Sequence, residues 1–190
     1  MNRIFRLILV ILAAWAYARA QGEIELKVEG PMGPFSSLLG VNAGPLTLLR
    51  RGGEKDFTEE YRQLGVRQVR THDYYGPLDM ATLFPDTQAD PDRPESYHFE
   101  ESDRFFDSIL KGGFEPYLRV GDSWRADPRF PQPRKRAPVD PIRWARAAAV
   151  VARRYFERSG GRLRYVEIWN EPDLRQFWDA SPEAFFELYA

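Results

Sequence analysis

Apolar residues in this chain come in short runs, and each run is followed by a longer stretch in which apolar positions recur every three or four residues. Short apolar runs beside glycine and proline are typical of buried strands. They predict strands at residues 38–41, 66–70, 116–120 and 163–169. The amphipathic spacing predicts helices at residues 58–64, 102–111, 141–158 and 182–190. The chain therefore alternates strand and helix four times.

Polar residues and glycine mark where the predicted helices begin and end. Thr58, Asp140 and Ser181 stand where a side-chain oxygen caps a helix N-terminus, and Gly65 follows a predicted helix end. Residues 73–100 are polar and rich in Pro and Asp, and they predict a long loop.

Four strand-helix units in a row predict parallel strands joined by right-handed crossovers. A doubly wound open sheet and a (β/α)8 TIM barrel both fit this pattern. No glycine-rich phosphate loop follows any predicted strand, which removes the usual mark of a nucleotide-binding open sheet. A full barrel needs about 250 residues. The barrel interpretation therefore implies that these 190 residues hold only about the first four β/α units of a truncated barrel.

The first 20 residues have the composition of a secretory signal peptide. Arg3 and Arg6 precede an apolar stretch at residues 7–17, and Ala18 and Ala20 occupy the small-residue positions of a cleavage site. The stretch is short for a membrane span, which needs about 20 apolar residues. We predict a signal peptide at 1–20, a catalytic-domain segment at 21–190 and secretion to an extracellular or periplasmic location.

Composition and charge narrow the function classes. Hydrophobic residues make up 43% of the chain and charged residues 29%, as in an ordinary globular protein. Cleavage after residue 20 removes three of the 27 basic residues and none of the 28 acidic ones, which changes the net charge from −1 to −4. A negative chain is a poor ligand for nucleic acids and anionic membranes. The absence of cysteine excludes disulfides, so stability depends on packing.

Polar and aromatic side chains follow each of the four predicted strands. Strand one ends at Asn42, strand two at His72, strand three before Trp124 and strand four at Asn170 and Glu171. In barrel enzymes the active site lies at this end of the strands, so we predict that these five residues lie on one rim of the sheet and face a shared cleft. Glu171 is the leading candidate for a general acid, because glycoside cleavage needs a carboxylic acid to protonate the leaving oxygen. From spacing alone, Asn170 and Glu171 are equally compatible with capping the next helix.

The other candidates each have a structural alternative. His72 fits a satisfied strand-end histidine, and Trp124 and Trp169 fit core packing as well as sugar-stacking platforms. We predict that both tryptophans and Asn42 contact the substrate. Asp122 fits an ordinary turn residue. Glu167 precedes Glu171 by an even number of residues, and we expect it to satisfy polar neighbours inside the sheet. Asp86, Asp90 and Asp92 lack the glycine and closing glutamate of a calcium loop, so no metal is predicted.

The stretch Ile168-Trp169-Asn170-Glu171-Pro172-Asp173 resembles the acid/base motif of the retaining glycoside hydrolases built on (β/α)8 barrels. Together with Gly40-Val41-Asn42, Arg70-Thr71-His72-Asp73 and residues 114–124, it makes the chain resemble glycoside hydrolase family 39, which contains β-xylosidases and α-L-iduronidases.

The resemblance covers residues 38–190 and implies roles for three residues. It makes Glu171 the acid/base, places Asn170 on the sugar next to the reacting carbon and His72 on a sugar hydroxyl. It implies a nucleophilic glutamate on a seventh strand that these 190 residues do not encode.

These expectations combine into retaining hydrolysis of O-glycosidic bonds in oligo- or polysaccharides, similar to that of a β-xylosidase, without a cofactor. A carbohydrate is the expected partner, and the isolated chain is expected to be inactive. Two alternatives stay open: another retaining barrel glycosidase of endoglycanase type, and a secreted sugar-binding fragment without catalysis. The sugar, its linkage, exo or endo action and the oligomeric state are not specified by the pattern.

Overall fold

The computed structural model describes residues 39–190. The predicted signal peptide and the first residue of the first predicted strand, Leu38, lie outside the described residues. The strands are β1 (Gly40–Asn42), β2 (Leu46–Leu48), β3 (Glu54–Asp56), β4 (Gln68–Arg70), β5 (Glu115–Val120) and β6 (Tyr165–Ile168). The α-helices are α1 (Thr58–Gln63), α2 (Met80–Leu83), α3 (Glu100–Gly112), α4 (Pro141–Arg158) and α5 (Pro182–Tyr189), with a 3₁₀ turn at Pro94–Ser96.

The main sheet of the described residues has four parallel strands in the order β1-β4-β5-β6. In register, Asn42 pairs with Arg70, and Arg70 pairs with Tyr117. Val120 pairs with Ile168. The four strands thus have the same order in the sheet as along the chain, and all run in the same direction. Their carboxyl ends therefore lie at one edge of the sheet. The prediction of an α/β fold with parallel strands is confirmed.

The core lies between one face of this sheet and the helices α3 and α4. Val69 and Leu118 face it from the sheet, and both are fully buried. Phe106 on α3 stacks on Tyr155 of α4 with ring centroids 4.2 Å apart. Each such buried aromatic side chain stabilises the fold by roughly 1.5–3 kcal/mol relative to exposure. The helices therefore cover one face of the sheet, and the ends of its strands remain open to form the site.

Two features of the fold were not predicted. The strands β2 and β3 pair as an antiparallel hairpin, with Leu46 opposite Asp56. The three residues of β3 are all polar and exposed, so no hydrophobic alternation marks them. The predicted loop at residues 73–100 contains α2, whose four residues are all buried. Tertiary burial, rather than local periodicity, orders this segment.

The predicted helix caps are confirmed at two of three positions. Asp140 Oδ1 accepts a hydrogen bond from Arg143 N (2.9 Å), and Ser181 Oγ accepts one from Ala184 N (3.3 Å). Thr58 as a cap is wrong, because it is the first helical residue and its amide and hydroxyl both donate to Asp56 Oδ1. Within residues 39–190 no helix is both long and apolar enough to cross a membrane.

Candidate active site

The carboxyl ends of the parallel strands surround one open cleft of about 320 Å³. Its lining includes all five residues that we predicted to share a rim, namely Asn42, His72, Trp124, Asn170 and Glu171, so this geometric prediction is confirmed. Trp169, the sixth candidate, is not among them. Arg70, Asp73 and Tyr75 complete the side of the cleft next to β4.

Arg70 is the central side chain of the cleft, and its place in the site was not predicted from the sequence. Its Nε donates to Glu167 Oε2 (2.6 Å), and its Nη2 donates to Asn170 Oδ1 (2.7 Å). Its Nη1 donates to Asn42 Oδ1 (3.2 Å). One guanidinium therefore joins the ends of β1, β4 and β6. The available signal in the sequence was the position of Arg70, a charged residue at the end of a predicted strand.

Glu167 pairs with Arg70 as expected for a residue that satisfies polar neighbours on the sheet. Its carboxylate takes both Nε and Nη2 of the guanidinium, which is the bidentate geometry that Arg favours. The side chains of both residues are 24% exposed, so the pair does not lie in the core, and Arg70 lines the cleft.

Asn170 connects Arg70 to Glu171 by two hydrogen bonds. With Oδ1 bound to Arg70, its Nδ2 points to Glu171 Oε2 at 3.1 Å. The orientation of the amide is thus set by the guanidinium, and the amide in turn holds one carboxylate oxygen. Glu171 itself is exposed in the described structure, which leaves its other oxygen accessible from the cleft.

His72 lies at the cleft beside Asp73 and is only 5% exposed. Its Nε2 is 3.3 Å from Asp73 Oδ1, and its ring packs on Phe177 with centroids 5.7 Å apart. Burial, with the charges of Arg119 and Arg70 adding to it, lowers the pKa of His72 to about 3. Burial also raises the pKa of Asp73 above its ordinary value. His72 is therefore neutral at neutral pH, as suits a hydrogen-bonding group and not a cation.

The two tryptophan candidates separate. Trp124 is 38% exposed on the cleft wall and meets Tyr75 edge-on with ring centroids 6.4 Å apart. Trp169 is 2% exposed, its Nε1 donates to the Phe177 carbonyl (3.0 Å), and its ring packs against Trp178. The prediction that Trp169 contacts substrate is corrected, because its indole is committed to the core below the cleft.

The aspartates with structural alternatives take structural roles. Asp122 is buried and accepts hydrogen bonds from Ala81 N (2.8 Å) and Arg134 N (2.6 Å), which ties α2 to the loop that contains Arg134. Asp86 and Asp90 each accept a bond from a backbone amide two residues later, and Asp92 pairs with Arg146. Among the described residues no group of three or more acidic or histidine side chains is arranged to hold a metal ion.

A family comparison shows to which family the chain belongs. The sequence profile of glycosyl hydrolases family 39 matches residues 23–190.

The chain belongs to glycosyl hydrolases family 39.

Two curated relatives are similar to this family 39 chain. It is 28% identical over 137 residues to a β-xylosidase of Geobacillus stearothermophilus, covering 67% of this chain and 27% of the relative. It is 26% identical over 153 residues to a β-xylosidase of Caldicellulosiruptor saccharolyticus, covering 75% of this chain and 30% of the relative. The chain thus spans less than a third of the length of either relative.

A solved structure shares the fold. The glucosidase from Croceicoccus marinus superposes with a TM-score of 0.67 at 23% identity, and the match covers 85% of this chain and 34% of that one. At this identity the likeness concerns the fold alone.

Backbone strain in this family 39 chain is concentrated at the same strand ends. Five described residues other than glycine have a positive φ: Ala43, Asp73, Tyr75, Trp169 and Glu171. All of them follow β1, β4 or β6 within a few residues. Such conformations cost of order 1–3 kcal/mol each and persist where the surrounding structure enforces them, often at functional sites. The strain therefore supports the same cleft that the side chains define.

Proposed function

We propose that this protein hydrolyses O-glycosidic bonds by a retaining mechanism, with Glu171 as the acid and then the base. The observation that carries the proposal is the chain of contacts from Arg70 through Asn170 to Glu171 at the edge of an open cleft. A general acid must be held within hydrogen-bond reach of the leaving oxygen, and these contacts fix one oxygen while leaving the other accessible.

We further propose that the four parallel strands are part of a (β/α)8 barrel. Membership of family 39 and the fold likeness to a glucosidase support this architecture. The placement of the cleft at the carboxyl ends of the strands agrees with it, because barrel active sites lie there.

In the proposed reaction Glu171 protonates the oxygen of the departing group while a second carboxylate attacks the sugar. A glycosyl-enzyme forms, and Glu171 then removes a proton from the water that hydrolyses it. Asn170 and neutral His72 bind hydroxyls of the reacting sugar, and Asn42 borders the same unit. Trp124 supplies an apolar wall for it.

Asp73 is the other carboxylate among the described cleft residues, and we assign it to His72 rather than to nucleophilic attack. Its contact with His72 Nε2 occupies Oδ1, and burial raises its pKa, which disfavours the charged form that a nucleophile needs. The nucleophile in this proposal is a glutamate, as the family resemblance implies.

The substrate class that we propose is a xylose-containing oligosaccharide. The support is the similarity to two β-xylosidases at 28% and 26% identity. We also propose export, supported by the signal-like composition of residues 1–20 and by a family match that begins at residue 23. Secreted protein that still begins near Met1 would contradict the cleavage after Ala20.

The test is Glu171→Gln in the whole natural protein, measured on two xylosides. With an alkyl or sugar leaving group, which needs protonation, the turnover should fall by about 10² to 10⁴. With an activated aryl leaving group, formation of the glycosyl-enzyme should survive, its hydrolysis should slow, and azide should restore turnover.

The matched control is Glu187→Gln, which removes the same carboxylate from the exposed face of α5 and should change neither rate. Equal loss on both substrates without rescue by azide would exclude Glu171 as the acid/base.

A further inference from the structure

A second cavity of about 270 Å³ adjoins the cleft. Tyr75 lines both spaces. The cavity lies between the β2–β3 hairpin, which contributes Arg50, and the loop after β5, which contributes Arg125 and Asp127. A molecule bound in the cleft therefore has an adjacent space into which it can extend past Tyr75.

Arg125 is held in place by aromatic rings and not by a carboxylate. Its guanidinium carbon lies 4.7 Å from the centroid of Tyr75 and 4.5 Å from that of Trp124. Cation–π contact orients a guanidinium while its N–H groups remain available for another partner. Trp124 also lines the cleft, so its ring borders the cleft and at the same time contacts the arginine of the second cavity.

Arg50 presents a second guanidinium to the cavity. It lies in the hairpin turn, where Leu49 N donates to Gly53 O (3.1 Å) and Gly52 N donates to Leu49 O (2.9 Å). Within residues 39–190 neither Arg50 nor Arg125 has a carboxylate within ion-pair distance, although most other arginines near the site have one.

Asp127 is the one carboxylate that the described residues contribute to the lining, and it is already neutralised. Asp127 Oδ1 accepts from Arg129 Nε at 2.8 Å and from Arg129 N at 3.1 Å. The two free guanidinium groups therefore leave the cavity positively charged. This contrasts with the 190-residue chain, whose formal net charge is −1.

We propose that this cavity is a neighbouring subsite that binds the carboxylate of a uronic acid unit of the substrate. The inference rests on the proposed function, because it places the unit that is cleaved beside Glu171 and the acidic unit beyond Tyr75. A carboxylate matches the planar fork of a guanidinium, and two such groups without a carboxylate partner among the described residues favour an anionic over a neutral sugar.

The experiment compares two oligosaccharides of equal length, a neutral xylo-oligosaccharide and one that carries a glucuronic acid branch. Binding to the whole natural protein is measured by calorimetry, and hydrolysis is measured separately as kcat/KM. We expect the acidic compound to bind about tenfold more tightly, and the preference to shrink at high salt. A sulfated oligosaccharide of the same length is the third ligand.

The variants are Arg50→Gln and Arg125→Gln, with Arg67→Gln as the matched control. Arg67 is an exposed arginine next to the amino end of β4, at the opposite end of the strands from the cleft. Each of the first two should remove most of the preference for the acidic ligand and leave the affinity for the neutral one within about twofold. Arg67→Gln should keep the preference.

The outcomes separate this inference from the proposed function. Equal affinity for the acidic and neutral ligands, or tighter binding of the sulfated ligand than of the uronate, overturns the subsite. Loss of neutral binding together with acidic binding in Arg125→Gln overturns it too, since it shows a general collapse of the wall at Trp124. Absence of hydrolysis on every ligand overturns the proposed function, whereas a preference in binding that depends on Arg50 and Arg125 supports the subsite even then.

Discussion

Two arginine–carboxylate pairs lie at the ends of neighbouring strands and differ in nearly every physical respect. Arg70 and Glu167 are each 24% exposed, and the guanidinium makes hydrogen bonds to three side chains. Arg119 and Asp79 are 0% and 1% exposed, and Arg119 Nε and Nη1 have no hydrogen-bond partner among the described residues. The open pair is well satisfied, and the buried pair is not.

The two pairs also serve different parts of the cleft. The open pair orients Asn170 and through it Glu171. The buried pair holds the loop after β5, because Asp79 Oδ1 accepts from Ser123 N (3.0 Å) and Ser123 Oγ (2.9 Å) immediately before Trp124. The Arg70–Glu167 pair therefore positions the candidate acid Glu171, and the Arg119–Asp79 pair positions the loop that carries Trp124. The difference in burial implies that they should fail differently when broken.

The largest expected effect is on stability, from Arg119→Met. Removal of the guanidinium leaves the Asp79 carboxylate buried and unpaired, which typically costs about 3–5 kcal/mol. We expect a loss of this size in the free energy of unfolding, measured with urea on the whole protein.

The control for this change is Arg119→Gln combined with Asp79→Asn, which leaves no lone charge and should recover part of the loss. A loss below about 1 kcal/mol in Arg119→Met would show that the buried pair contributes no more than a surface pair.

Arg70→Met should act on activity instead. Without the guanidinium the Asn170 amide loses its anchor, and we expect kcat/KM on a substrate with a poor leaving group to fall about 100-fold, close to the effect of losing one oriented donor in an active site. Stability should change less than in Arg119→Met, because water reaches Glu167.

A double-mutant cycle with Glu171→Gln sharpens this prediction. If Arg70 acts through Asn170 and Glu171, its removal should cost much less in the Glu171→Gln background. Arg70→Lys should not restore activity, since one ammonium cannot replace the fork that reaches Glu167, Asn170 and Asn42. Fully additive losses would mean that Arg70 contributes by another route.

The contrast between the pairs shows what the sequence was able to predict. Strand ends are visible as polar residues after apolar runs, so Asn42, His72, Asn170 and Glu171 were recognised as strand-end candidates from their positions. The family resemblance then supplied the roles of His72, Asn170 and Glu171. The alternation of side chains along a strand also predicted a supporting role for Glu167. These features depend only on local periodicity.

Partnership across the sheet is not visible in the same way. Arg70 meets Glu167 and Asn170 at separations of 97 and 100 residues, and nothing local in the chain encodes which carboxylate it reaches. Trp169 was predicted to contact substrate because it lies beside Glu171 in the sequence, but its indole is buried in the core, and its φ is 69°. An added Cβ at Gly121 would lie 3.0 Å from that ring, so the strand end and the indole are in close contact.

The pKa of His72 depends on the charges of both arginines. Burial first, then the charges of Arg119 and Arg70, lower its pKa from 6.5 to about 3. Below about pH 6.5 the unfolded chain binds a proton at His72, whereas the folded protein binds it only near pH 3. The free energy of unfolding therefore decreases as the pH falls from about 6.5 to about 3. The slope approaches roughly 1.4 kcal/mol per pH unit in the middle of the window.

His72→Gln should flatten the dependence of stability on pH between about 6 and 4, because glutamine does not titrate. Unfolding by urea at several pH values gives this directly, with His98→Gln as the control, since His98 is exposed and lies far from both arginines in the chain. An unchanged slope in His72→Gln would show that another group carries the acid sensitivity.

The smallest effect is expected at Trp124, the wall that the buried pair supports. Its ring is 38% exposed, so Trp124→Ala should cost less stability than the roughly 3–5 kcal/mol typical of a fully buried tryptophan. The loss of a stacking surface should instead raise KM about fivefold to tenfold while kcat stays nearly constant, because a wall contacts the ground state and the transition state alike. Trp124→Phe keeps a flat ring and should restore most of the affinity. If Trp124→Ala lowers kcat as strongly as Arg70→Met does, the wall takes part in the chemical step, and the division of labour between the open and the buried pair does not hold.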